Sequence, residues 1–396
     1  MEKQFPFSFA SILDNDFYKF TMQCAVIKLY PDVKTQYQFI NRGHHAFPEG
    51  FGEELRKHVD HMAELQLTKQ EKAFLAKKCP YLNPAYIDFL NGYRYDPSEV
   101  EITQNGTELE VKVHGYWYRT ILWEVPLLSL ISELFYKCNH AQRISDDDIR
   151  ERTGEKMDLF QQLGVTVAEF GTRRRHSYQV HRVVMQTLME YYNKCFVGTS
   201  NVHLAMMHNA RIIGTHAHEW FMFHGARYGF KNANAFSLKN WVKVYQGDLG
   251  IALTDTYTTD VFFSQFNKKY AKLFDGVRHD SGDPIAFAQK TIQHYQSLSI
   301  NPLYKTITFS DGLNPEKVQT ITEACKDKIG ISFGIGTNLT NDVGLTPMNI
   351  VMKLTSVAMP DMPWTPTVKL SDEHGKYTGD PRTIELAKEI LNISSE

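Results

Sequence analysis

Val165-Thr-Val-Ala-Glu-Phe-Gly-Thr-Arg-Arg-Arg-His176 runs from a short apolar stretch into a Gly/Thr turn carrying three arginines. The chain then turns helical, with Val180, Val184, Leu188 and Tyr191 on one face. The same texture returns at Cys195–Val197, Gly250–Leu253, Gly276–Arg278, Thr306–Phe309 and Ile331–Gly334, each apolar run ending in Gly-, Ser-, Thr- or Asp-rich turns before helical pattern. Strand-then-helix alternation of this kind builds parallel β/α units. So many units in succession predict an irregular or incomplete β/α barrel, whose chemistry sits on the loops after the strand C-termini. An open doubly wound sheet satisfies the same pattern.

Upstream the pattern differs. Residues 11–30 read as a helix after Asp14-Asn15-Asp16, Thr35–Asn41 alternates as a strand, and a charged helical pattern runs from Glu53 to Lys78. Val100–Thr103, Glu108–Val113 and Thr120–Trp123, broken by Asn105-Gly106 and Gly115, predict a small antiparallel sheet, after which Pro126 opens an apolar helix to Tyr136. The tail from Thr367 to Gly379 alternates again. The expected organisation is therefore an N-terminal α/β domain over 1–140, completed by 361–396, and a β/α catalytic domain over 141–360.

A chain of 396 residues, 42% of them hydrophobic, has enough apolar material for two cored domains. Its 43 basic and 45 acidic residues nearly cancel, so no overall field recruits nucleic acid or an anionic membrane. Cys24, Cys79, Cys138, Cys195 and Cys325 are far apart and form no CxxC pair, which fits a reducing, cytoplasmic compartment. Met1 to Phe20 lacks a basic stretch leading into an apolar run, and no apolar run approaches about eighteen residues. A soluble protein is expected.

The strand-end turns hold the chemistry. Gly214-Thr-His-Ala-His-Glu-Trp220 places His216 and His218 in a Gly-led turn beside an acid, where a histidine can carry a proton, a metal or a phosphoryl group. The arginines at 173–175 stand at a helix N-terminus, which suits a carboxylate or phosphate. Thr199 and Ser200 offer small neutral donors. Asp255 and Asp280, the second near Arg278, suit sugar hydroxyls or hydrated magnesium, or else cap the helices that follow. Phe309-Ser-Asp-Gly-Leu-Asn314 and Ser332-Phe-Gly-Ile-Gly-Thr-Asn338 bring backbone amides close enough for phosphate. Neither is a P-loop, and Gly334-Ile-Gly336 lacks the third glycine of a dinucleotide fingerprint.

Together with Leu13-Asp-Asn-Asp-Phe-Tyr-Lys-Phe-Thr-Met22 and Gly198-Thr-Ser-Asn201, these segments resemble the nicotinate phosphoribosyltransferases through most of the chain, in family order. The resemblance implies a homodimer with shared active sites that joins nicotinate to 5-phosphoribosyl 1-pyrophosphate in the first step of NAD synthesis from nicotinate. It implies ATP hydrolysis coupled through a transiently phosphorylated His218, with Mg2+. By the same resemblance Phe170 and Tyr18, the latter from the other subunit, stack on the pyridine ring. Arg173 and Arg278 meet substrate anions, and Thr199 and Ser200 border the substrate. Asp255 and Asp280 serve ribose hydroxyls and metal, and Ser310, Asp311, Gly312, Gly336, Thr337 and Asn338 the 5-phosphate. Arg42 and Lys353 take the pyrophosphate, and Glu219 orients His218.

Ser200 bears on substrate choice, because the related nicotinamide enzymes place an aspartate at the matching position. At about 4 Å and an effective dielectric of about 20, an aspartate would repel a substrate carboxylate by about 4 kcal/mol, whereas a serine hydroxyl can donate to it. Nicotinate is expected over nicotinamide. A rival from another reaction class is a metal-dependent β/α-barrel hydrolase that uses the His216-x-His218 pair with His279 and Asp280.

Overall fold

The computed structural model describes residues 9–373 and 376–393; the remainder of the expected 1–140 and 361–396 segments, residues 1–8, 374–375 and 394–396, lies outside the described residues. In chain order the strands are β1 (Lys34–Asn41), β2 (Val100–Asn105), β3 (Glu108–Tyr116), β4 (Val167–Glu169), β5 (Phe196–Thr199), β6 (Ile251–Leu253), β7 (Gly276–His279), β8 (Thr306–Phe309), β9 (Gly330–Ile335), β10 (Ile350–Ala358) and β11 (Thr365–Pro366). They form two sheets. One has the order β11-β10-β1-β3-β2 and the other β5-β4-β9-β8-β7-β6.

The first sheet is antiparallel. Alternation in β1 sends Thr35, Tyr37 and Phe39 inward. β2 and β3 pair Asn105 with Glu108 across a two-residue turn in which Gly106 takes φ +58°, a conformation that glycine adopts without strain. Thr120–Trp123, expected as a strand, is not one. Residues Trp117–Thr120 form a helical turn and the chain then enters the helix Glu124–Cys138. The buried indoles decide this, because Trp117 Nε1 donates to Glu219 at 2.6 Å and Trp123 Nε1 to Glu99 at 2.9 Å, partners that a flat ladder would not reach. The strand flanking β1 comes instead from β10, along its whole length from Lys34↔Ala358 to Asn41↔Ile350. The chain thus returns to the first sheet at Ile350, earlier than the boundary at 360 that the sequence suggests.

The tail then leaves that sheet. Lys369 pairs with Thr378 in a small antiparallel bridge, and Leu370 N–H donates to Thr256 O at 2.8 Å beyond β6.

The second sheet is wholly parallel and six-stranded, with strand ends within one or two residues of expectation. The pairing does not continue from β5 round to β6. Between those edges runs the extended segment 211–216. On one side Thr199 and Ile213 N–H groups exchange bonds with Arg211 and Thr199 carbonyls at 3.1 and 2.9 Å. On the other, Thr215 Oγ1 donates to Ile251 O at 3.2 Å and Leu253 N–H donates to His216 Nε2 at 3.2 Å. A seam of single contacts joins the two edges. No described helix is long and apolar enough to cross a membrane.

Candidate active site

His218 follows this seam as the first residue of the helix His218–Tyr228, at the meeting of two cavities. Its Nε2 lies 2.8 Å from Asp255 Oδ1 and 3.6 Å from Asp280 Oδ2. Asp255 is buried, and its other oxygen accepts from Ser281 Oγ at 2.7 Å and faces Lys369 Nζ at 3.2 Å. Lys369 and His218 hold the Asp255 carboxyl well below its ordinary value, overriding the effect of burial. Burial, then Lys369, pushes the His218 imidazole down. An ionised acid therefore fixes a neutral ring.

Glu219, expected to orient His218, points elsewhere. It accepts from Trp117, from Tyr37 Oη and from Lys19 Nζ, the last at 2.5 Å. His216 is wholly buried between Phe221 and Trp241, and its Nε2 is taken by Leu253 N–H. His279 sits 3.2 Å from Gly282 O and packs on Phe287 and Phe309. The His216-x-His218 metal pair expected of a hydrolase is thus not assembled.

The first cavity is lined by Tyr18, Phe170, Arg173, Ser200, His218, Arg278, Asp280, Ser310, Gly312, Gly336 and Thr337, all expected, by Arg174 of the arginine run read as an anion site, and by Asp16, Gly214 and Gly334, which were not singled out. The Phe170 ring lies against Gly334, where an added Cβ would come within 2.2 Å of it; the missing side chain is what lets the ring lie there. Tyr18 and Phe170 of one chain border the same cavity. Ser310 Oγ donates to Asp280 Oδ1 at 2.6 Å. The Ser200 hydroxyl donates to Asp16 Oδ1 at 2.7 Å, a partner that the sequence reading did not foresee.

The second cavity, sharing Tyr18, Arg173, His218 and Asp280 with the first, is lined by Arg42, Lys353, Lys369, Lys376 and Asp311. With Arg173 these make five cations against Glu124, Glu219, Asp280 and Asp311, and because Lys19 already pairs with Glu124 and Glu219 the cations are in excess, which suits a polyphosphate. Lys353 Nζ donates to Thr378 Oγ1, and burial, with Arg42 and Lys369 nearby, lowers its pKa to about 8. Three expected residues line neither cavity, one of them Asp255, which lies behind His218. Thr199 is fully buried and donates to Glu169 at 2.5 Å, and Asn338 holds Lys156 through its backbone carbonyl.

The three consecutive arginines divide their work. Arg173 reaches Glu124 at 3.4 Å and Asp16 at 4.0 Å, Arg174 lines the first cavity, and Arg175 is buried in a two-pronged pair with Asp14 at 2.7 and 2.8 Å.

Among the described residues, His218, Asp255 and Asp280 are the one group of three that brings ligand atoms within 4.8 Å of one another. For magnesium, which prefers oxygen ligands and retains water, Asp280 fits, since it lines both cavities. Asp255 does not fit, because His218, Ser281 and Lys369 already occupy its oxygens.

A slot bordered by Tyr18 and Phe170 and a cationic cleft meet at one acid-held histidine, an arrangement compatible with group transfer. The nicotinate phosphoribosyltransferase (NAPRTase) family matches residues 165–395, and its N-terminal domain matches residues 13–132. A nicotinate phosphoribosyltransferase of Chromohalobacter salexigens is 59% identical over 384 residues, covering 97% of this chain and 98% of its own. The crystal structure of a nicotinate phosphoribosyltransferase from Porphyromonas gingivalis is similar with a TM-score of 0.95 at 46% identity, over 97% of this chain and 100% of that one. One from Vibrio cholerae gives 0.91 at 32% identity, over 99% and 95%. The chain belongs to the nicotinate phosphoribosyltransferase family.

Proposed function

We propose that this protein joins nicotinate to 5-phosphoribosyl 1-pyrophosphate, giving nicotinate mononucleotide and pyrophosphate, and couples that transfer to ATP hydrolysis through phosphorylation of His218. The observation that carries the proposal is the neutral, acid-held His218 between a ring slot and a cationic cleft. The pyridine nitrogen, aligned between Tyr18 and Phe170, attacks C1 of the ribose as the C1–O bond to pyrophosphate breaks. Asp280 stands where the ribose becomes cationic, and Arg42, Lys353 and Lys376 receive the departing pyrophosphate. Bound magnesium, held by Asp280, would neutralise charge on that leaving group.

For the coupled step, Nε2–H donates to Asp255 and leaves the Nδ1 lone pair as nucleophile. Nδ1 attacks the γ-phosphorus, the bond to the ADP oxygen breaks, and water later cleaves the P–N bond to release phosphate. The family likeness and the separated cysteines support a homodimer working in the cytoplasm.

Incubation with magnesium, phosphoribosyl pyrophosphate and either pyridine, with and without ATP, is expected to yield mononucleotide from nicotinate, with ADP formed alongside. Absence of mononucleotide under all these conditions overturns the reading. The cationic cleft also sets a pH limit. The folded pKa of Lys353, lowered to about 8, means that its charge is present below that pH and lost as pH rises through it. KM for phosphoribosyl pyrophosphate is expected to rise above about pH 8, and less so in Lys353→Arg, whose charge persists. A flat KM up to about pH 9 would remove Lys353 from pyrophosphate binding.

A further inference from the structure

Asp16 is an acid in the wall of the ring slot, where a carboxylate substrate is least compatible with another negative charge. It is 2% exposed, and its Oδ1 meets Ser200 Oγ at 2.7 Å, with Ser200 equally buried and lining the same slot. A serine hydroxyl has one hydrogen. If Asp16 is ionised, that hydrogen points to Asp16 and Ser200 presents only lone pairs to the slot, which mate with a donor such as a carboxamide NH2. If Asp16 carries a proton, Asp16 donates to Ser200, and the Ser200 hydrogen turns into the slot to meet a carboxylate.

We infer that Asp16 is the specificity-determining residue for the pyridine substituent, taking up a proton when nicotinate binds and passing a hydrogen bond through Ser200 to the carboxylate. This rests on the functional reading above. The proton comes from solvent and forms an O–H bond on the Asp16 carboxylate; no bond between heavy atoms changes. Burial raises the Asp16 pKa, which favours the uptake. The groups facing Asp16 from its neighbours are Arg173, whose Nε is 4.0 Å from Oδ2 and opposes protonation, and Thr172, whose hydroxyl also opposes it. Glu169 on β4 favours it, and the Tyr18 phenol lies on the helix that Asp16 opens.

Calorimetric titration of the full-length protein with nicotinate, in two buffers of different ionisation enthalpy, counts the protons. Uptake approaching about one proton is expected at neutral pH, together with affinity that falls about tenfold per pH unit on the alkaline side. Nicotinamide is expected to bind with no uptake. Asp16→Asn, whose amide donates permanently, is expected to bring the uptake near zero and flatten the nicotinate profile. Binding of nicotinate by the wild type with no uptake and a flat profile, or equal uptake in Asp16→Asn, overturns the inference and leaves the functional reading standing. No binding of either pyridine and no mononucleotide overturns that reading, and this inference with it. The wild-type pH series decides the matter even if Asp16→Asn does not fold.

Discussion

His218→Ala is expected to lose ATP hydrolysis by roughly a thousandfold or more, as happens when a covalent nucleophile is removed, while uncoupled mononucleotide synthesis continues more slowly. The fold has little reason to suffer. Asp255 keeps Ser281 at 2.7 Å and Lys369 at 3.2 Å, so losing the imidazole leaves no unpaired buried charge. The slot loses one wall residue in His218 but keeps Tyr18, Phe170 and Ser200, which other elements hold. Two measurements check this: ADP released per mononucleotide formed, and label retained on the protein from γ-labelled ATP. Wild type should hold acid-labile label and the variant none. ADP formed in step with mononucleotide in His218→Ala would take the histidine out of the energy coupling.

Arg175→Ala should instead unfold the protein more easily and do so at a distance from either substrate. The guanidinium is fully buried, bonded through both terminal nitrogens to Asp14, which also accepts from Asn201 Nδ2 at 2.7 Å. Removing one partner of such a pair costs about 3–5 kcal/mol, because the other charge stays buried. The pH dependence follows from the sign of the shift. Arg175 holds the Asp14 carboxyl below its ordinary 3.8 despite burial, so the stability from this pair is present above that value and lost as pH falls through the folded pKa. In Arg175→Ala burial, the largest influence on Asp14, is opposed only by His203 and the Asn201 hydrogen bond, so the Asp14 pKa is expected to rise and the deficit to be full at neutral pH and shrink in mild acid as Asp14 protonates. Urea unfolding at both pH values measures it. A neutral-pH deficit below about 1 kcal/mol would place this pair with exposed ion pairs.

Much of the parallel sheet was legible because each of its buried strands is a short apolar run closed by Gly, Ser, Thr or Asp. The placement of Thr306–Phe309 needed nothing else. Thr120–Trp123 misled because β-branched and aromatic residues favour strands until their indole N–H groups need partners, and those partners, Glu99 and Glu219, are remote in sequence. The role of Ile350–Ala358 was hidden in the same way, since its register is set by β1 some three hundred residues earlier.

At the site, short motifs could place His218, Asp280 and Phe170, the last two just after a strand and His218 at the start of a helix after a Gly-led turn. Lys369 and Asp16 left no such signal. Lys369 arrives from the returning tail to meet Asp255, and Asp16 is aimed by the entry to the helix Phe17–Leu29. Contacts across the fold, invisible in local pattern, also separate Arg175 from Arg173 and turn Glu219 away from its neighbour.

The segment 211–216 has one more bearing on how the molecule works. It is stitched to the helix Phe17–Leu29 as well as to the two strand edges, through the Thr21 hydroxyl on Thr215 O at 2.5 Å and through Gly214, whose Cα faces the Tyr18 amide so closely that a Cβ there would lie 3.0 Å from it. The turn that leads into His218 and the first turn of the helix that bears Tyr18 are therefore tied directly to each other. A shift of either one bears on the other through these contacts, by a route that does not cross the parallel sheet.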